Sequence, residues 1–170
     1  MQEAEHLLPE VLDAFAFGGQ VTDAVRSDCG HINDTFSVYV RTEDSSCRHF
    51  ILQRISAAAF HHPDQVMSNI AGVTAYLSRA IAAAGGDPSR ETMTVVPTKD
   101  GSSFYTDSEG GAWRVYPFIE GTVCLQSAET PELFAASARA FGRFQHMLKD
   151  YPADTLYETI PHFHDTEDRL

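Results

Sequence analysis

The sequence predicts an α+β fold: a mainly antiparallel sheet with one long helix, followed by helices alone. Three observations predict it. Alternating runs rich in β-branched and aromatic residues come in two groups of three. One amphipathic stretch at helical spacing separates the groups. After Gly121 the strand-type runs stop and only helical spacing is left.

In chain order, Leu7, Leu8, Val11, Leu12 and Phe15 recur at helical spacing within residues 3–17, and Gly18-Gly19 ends that helix. Val21 to Arg26 reads as a strand. Asp28 to Asp34 is rich in turn formers. Thr35 to Arg41 and His49 to Ile55 read as the second and third strands, joined by the polar turn Glu43-Asp44-Ser45-Ser46. Val66, Ile70, Val73, Leu77, Ile81 and Ala84 mark the long helix, with Pro63 in its first turn and Gly85-Gly86 beyond its end. Strands are expected again over Thr92–Thr98, Ser103–Asp107 and Ala112–Ile119. Asp100-Gly101 and Gly110-Gly111 are the turns of this meander. Thr130, Pro131 and Glu132 open a further helix as cap, first-turn proline and first-turn acid. Leu133, Phe134, Phe141, Phe144 and Leu148 are expected to be its core stripe. Thr159 to Leu170 reads as a loop entering another helix, capped by Asp165 or Thr166. The expected division is 1–120 for the sheet-bearing part and 121–170 for the beginning of a helical one.

A 170-residue chain that is 43% hydrophobic can bury a core as one ordinary domain. Its formal charge of -12 argues against nucleic acid and anionic membrane as partners, since both repel an acidic surface. Cys29, Cys47 and Cys124 form no metal-binding or CxxC spacing, which fits free thiols in a reducing compartment. No apolar run approaches the ~20 residues that span a bilayer. Glu3 and Glu5 stand where a signal peptide would be basic, so a cytoplasmic location is expected. His61-His62 and His162-x-His164 lack the carboxylate or cysteine framework of a metal site and read as surface histidines.

Three segments could carry chemistry. Gly30-His31-Ile32-Asn33-Asp34-Thr35 is a glycine-containing turn between strands, which can aim backbone N–H groups at a phosphate; as a pattern alone it reads first as a plain hairpin. Arg54 is a basic residue late in an apolar strand. Its guanidinium could grip phosphate in bidentate fashion, or simply reach solvent at an edge. Tyr116-Pro117-Phe118-Ile119 carries a strand into a Glu-Gly exit. There Pro117 limits pairing and leaves backbone groups to read the edge of an adenine ring, unless the segment is only an edge strand with a linker.

The order of these signals, with GHINDTF, FILQRI, YPFIEGT, FGRFQ and IPHFHDTEDR, resembles the aminoglycoside-phosphotransferase branch of the protein-kinase-like superfamily. Within it the likeness is greatest to the N-acetylhexosamine 1-kinases, and it runs from about Val21 to Leu170. The resemblance implies a kinase-like small lobe followed by the first helices of a large lobe. It implies that residues 30–35 cover phosphates, that Arg54 takes the place of the ion-pairing lysine of the third strand, whose acid partner usually sits on the long helix, and that Tyr116 to Ile119 form the hinge against adenine. ATP and Mg2+ would be the cofactors and a small sugar the acceptor. The full protein would transfer phosphate to the anomeric hydroxyl of an N-acetylhexosamine.

Two departures qualify these expectations. The long helix has no acid between Met67 and Tyr76 to partner Arg54; Asn69 and the upstream Asp64 are the nearest candidates. The H-x-D loop and following aspartate that supply the base and magnesium ligands in this superfamily are absent, so no catalytic residue is assigned and the isolated chain is expected to be inactive. A choline-, homoserine- or aminoglycoside-type phosphotransferase, or a kinase-like module that binds without catalysis, are the rival expectations.

Overall fold

The computed structural model describes residues 4–27, 32–123, 125, 127–163 and 165–167. Their fold is α+β. A one-turn 3-10 segment, Glu5–Leu7, leads into α1 (Leu8–Ala14). β1 (Gln20–Arg26), β2 (Asp34–Arg41) and β3 (Cys47–Arg54) follow, then α2 (Pro63–Ala83) and the short α3 (Pro88–Glu91). β4 (Tyr105–Thr106), β5 (Ala112–Pro117) and α4 (Pro131–Met147) complete the series. The strands form one five-stranded sheet in the order β1-β2-β3-β5-β4, and every pairing is antiparallel.

The two faces of this sheet have different fates, because side chains alternate along each strand. Phe36, Val38 and Val40 of β2, Phe50 and Leu52 of β3, and Trp113 and Val115 of β5 share the first face and are all buried. Leu7 and Val11 of the N-terminal helical segment, with Phe15, Phe17 and Val96, close over them as the main core. Burying each such side chain is worth about 1.5–3 kcal/mol. On the second face, Ile55 and Ala112 meet Met67 of α2 in a smaller cluster. The rest of that face is half-buried.

Backbone approach at the start of β1 demands a residue without Cβ. A methyl on Gly19 would run into the carbonyl oxygen of Arg41 and meet Val40 Cγ1 at 2.9 Å. Gly19→Ala is therefore expected to lower stability by about 1–3 kcal/mol in urea melts, since rigid backbone must shift to admit it.

Several sequence expectations need correction. Thr92–Thr98 is no strand; it contributes only the isolated bridges Val96↔Val115 and Phe15↔Thr98. The second meander strand, expected over Ser103–Asp107, shrinks to Tyr105–Thr106. Asp100-Gly101 does turn the chain, with Thr98 N donating to Ser102 O at 2.9 Å, but outside any named strand. Side-chain bonds from Thr98 to Asp100, and from the Ser102 amide to Thr98 Oγ1 at 2.8 Å, hold this loop closed. They satisfy polar groups that a ladder would have used.

The helix after Thr130 forms as expected, its cap accepting from Leu133 N at 3.3 Å. Its apolar stripe is not core. Phe134 and Phe141 are each 70% exposed, and Phe144 is 44% exposed. Among the described residues no element packs over that stripe; the helix is tied instead through the Arg143–Glu91 ion pair. Over 159–167 the described residues make turns and no helix, with Asp165 Oδ1 accepting from Glu167 N at 3.0 Å. No helix of the described residues is long and apolar enough to cross a membrane.

Candidate functional site

Antiparallel register brings the expected turn and Arg54 to one end of the sheet. Asp34 opens β2 opposite Arg54, which closes β3, and Arg54 lies opposite Trp113 of β5. A cleft of about 840 Å³ opens at this end. Ile32, Asn33 and Asp34 line it from the β1–β2 side, Arg54 to Ala57 from the end of β3, and Glu109 to Ala112 from the turn before β5. Asn33 Oδ1 accepts from Ser56 N at 3.0 Å, which ties the first wall to the second. Arg26 makes an ion pair with Asp34 on the same wall.

The acidic partner missing from α2 comes from the turn between β4 and β5. Arg54 lies 3.5 Å from Asp107 Oδ2 and 4.0 Å from Glu109 Oε2, and its guanidinium stands 5.8 Å from the ring centroid of Trp113. The Asp107 side chain is wholly buried. It accepts from Trp113 Nε1 at 2.6 Å, from Gly111 N at 2.7 Å and from Glu109 N at 2.9 Å. Burial pushes its carboxyl up, but the indole, the two amides and the guanidinium together hold it below the ordinary aspartate value. A methyl on Gly111 would collide with both Arg54 and Asp107, so the pair closes only because that residue has no side chain. Asn69, the candidate on α2, instead clasps the backbone of Tyr157, donating to its O at 2.8 Å and accepting from its N at 3.0 Å. Asp64 makes no ion pair with Arg54 among the described residues.

The second sheet face carries three cross-strand rows beside the Ile55–Ala112 cluster. Thr35, Gln53 and Arg114 form the first by direct register; Ser37, Ile51 and Tyr116 form the next. Tyr39 and His49 form the third, where Phe118 joins them. In the first row Gln53 is the hub. Its Nε2 donates to Thr35 Oγ1 at 3.2 Å, and its Oε1 accepts from Arg114 Nε at 3.1 Å and Nη2 at 2.8 Å. In the third row His49 is stacked between Tyr39 and Phe118, with centroids 4.7 and 4.2 Å away. Its Nδ1 lies 3.6 Å from Glu120 Oε1, while its buried Nε2 has no partner among the described residues.

The expected site residues divide accordingly. Ile32, Asn33, Asp34 and Arg54 meet in the cleft. Thr35 turns instead to Gln53 on the open face. Tyr116, Pro117, Phe118 and Ile119 do not line the cleft; Pro117 lies opposite Phe50, four residues or about 13 Å along β3 from Arg54. The Phe118 amide is already given to His49 O at 2.9 Å. Gly30 and His31 lie outside the described residues, as do Cys29, Cys124, His164 and Arg169. Cys47 is a free, exposed thiol. Sequence reasoning missed Asp107, Gln53 and Arg114. The available signal was a polar residue at an inward position of an otherwise apolar strand, but only register reveals that Gln53 and Arg114 are neighbours.

Among the described residues no three His, Cys, Asp or Glu side chains gather as metal ligands. No family model matches the chain.

Proposed function

We propose that this chain binds a nucleoside triphosphate, as the nucleotide-binding part of an ATP-dependent phosphotransferase. The acceptor proposed, from the resemblance alone, is the anomeric hydroxyl of an N-acetylhexosamine. The proposal includes the kinase-like small lobe over 1–120 and the start of a helical lobe over 121–170.

One observation carries the reading: the β1–β2 turn residues and Arg54 line a single cleft of about 840 Å³ at the end of the sheet. The strand order β1-β2-β3-β5-β4, with a long helix entering after β3, supports a small-lobe assignment. The expected hinge stands about 13 Å from Arg54 along β3, a span that suits a nucleotide with its base at one end and its phosphates at the other. Stacked Tyr39, His49 and Phe118 give the second face at that far end an aromatic character that suits a base, whereas Arg54 stands over Trp113 at the rim of the first face. In this reading Asn33 and Arg54 face the phosphates, and Pro117 to Ile119 border the base.

Magnesium fits these residues less well. Transfer of a phosphoryl group needs acidic ligands gathered around the metal. The described residues gather no group of three such ligands, and the work proposed for them is to bind and orient.

The test is calorimetric titration of the full chain with ATP, beside thermal melts. ATP at a hundredfold excess over Kd is expected to stabilise the fold by about 2.7 kcal/mol. Arg54→Lys, which keeps a charge near Asp107 but loses the fork, is expected to weaken ATP binding about tenfold. Absence of heat and of any melting shift at millimolar ATP would remove the nucleotide from the proposal.

A further inference from the structure

Three arginines among the described residues are half-buried: Arg26, Arg54 and Arg114. The first two are neutralised, Arg26 by Asp34 and Arg54 by Asp107 and Glu109. Arg114 makes no ion pair among the described residues. Its hydrogen-bond partner is the neutral amide of Gln53, and Tyr116 is a neighbouring group that acts on its charge. Burial draws its guanidinium below the usual arginine value, with Tyr116 opposing in part. A chain of net charge -12 that half-buries a cation without a carboxylate has left that charge uncompensated.

The geometry fixes where the charge is offered. Nε and Nη2 are held by Gln53 Oε1, and Gln53 is itself held by Thr35. The fork cannot swing to solvent without breaking this chain, so its orientation is set beforehand. Arg114 and Tyr116 share the open face of β5, on the track that runs from the His49–Phe118 stack toward the Ile55–Ala112 end beside the cleft. An anion on that face would meet a positioned guanidinium with no internal rival for it.

We propose that Arg114 is the sheet's contact for a phosphate group of the bound ligand, with Gln53 as its positioning residue. This rests on the nucleotide reading and adds a cation to it: Arg54, already paired with Asp107 and Glu109, lines the cleft, and Arg114, on the second face beside it, meets the anion.

The test compares the full chain with Arg114→Gln and Gln53→Glu, titrated with ATP, adenosine and inorganic pyrophosphate. Gln53→Glu is the sharper variant. It preserves shape and gives Arg114 a carboxylate, so a purely structural cross-link would keep or gain thermal stability while ligand affinity stayed put. The proposal expects both variants to lose ATP affinity about tenfold or more and to keep adenosine affinity within about twofold. ATP affinity of the parent chain should fall with added salt, and less so in the variants. ATP binding unchanged in both variants would overturn the role of Arg114 and leave the nucleotide reading intact. Equal loss of ATP and adenosine would also overturn it, because adenosine carries no phosphate for Arg114 to meet. A parent chain that binds pyrophosphate through Arg114 but neither ATP nor adenosine would uphold the anion site and end the nucleotide reading. Binding of none of the three would end both. Should Arg114→Gln fail to fold, Gln53→Glu decides alone.

Discussion

Asp107→Ala is expected to destabilise the chain by about 3–5 kcal/mol, the cost typical of stripping one partner from a buried charged network. The carboxylate is wholly buried and satisfies four groups at once: the Trp113 indole, the amides of Gly111 and Glu109, and the Arg54 guanidinium. Its loss leaves the indole N–H unpaired in the core and a half-buried guanidinium whose remaining ion-pair partner among the described residues is Glu109, 4.0 Å away. Urea denaturation of both proteins at pH 7 gives the difference. Asp107→Asn separates charge from shape and carries a pH signature. Because the folded carboxyl titrates below its ordinary value, the parent's advantage over Asp107→Asn should be full above about pH 4 and shrink as pH falls through the lowered folded value. An advantage that stays constant from pH 7 to pH 2.5 would show that the ionised form is not what stabilises the turn.

Trp113→Ala should cost at least as much, about 4–5 kcal/mol. Removing a buried tryptophan alone costs about 3–5 kcal/mol through lost transfer and the cavity left behind. Trp113 is fully buried against Phe36, with ring centroids 6.0 Å apart, and also carries the indole bond to Asp107 and the face beneath Arg54. Domain stabilities are about 5–15 kcal/mol, so this variant is expected to be partly unfolded at 37 °C by circular dichroism. Trp113→Phe keeps most of the ring and loses the N–H; about 2 kcal/mol is expected from an Asp107 oxygen that keeps the Arg54 contact at 3.5 Å but loses its hydrogen bond. If the two variants melt together, the hydrogen bond to Asp107 outweighs the packing, contrary to this account. If Trp113→Phe melts with the parent, the indole bond contributes nothing.

These two residues show what was legible in the chain. The strands carrying Phe36, Leu52 and Val115 could be read because a core face prints itself as alternation. The helix from Pro63 could be read from its apolar spacing and its first-turn proline. Thr92–Thr98 misled because its β-branched content also serves a loop closed by threonine and aspartate side chains. Phe134, Phe141 and Phe144 misled because helical periodicity says that one face is apolar, not that anything covers it.

The candidate site was half legible. Arg54 and the Ile32–Asp34 turn could be singled out locally, and they do share a cleft. The partner of Arg54 could not, since Asp107 is 53 positions away and meets it only through the β3–β5–β4 register.

From its order of residues alone this chain determines an antiparallel sheet with a long helix after the third strand, because propensity, turn chemistry and periodicity are local and need no partner. Which carboxylate meets Arg54, and which arginine keeps its charge unspent on the open face, were decided only when strands paired. Charge compensation depends on ångström distances between segments far apart in the chain, and the number of residues between two groups does not encode that distance.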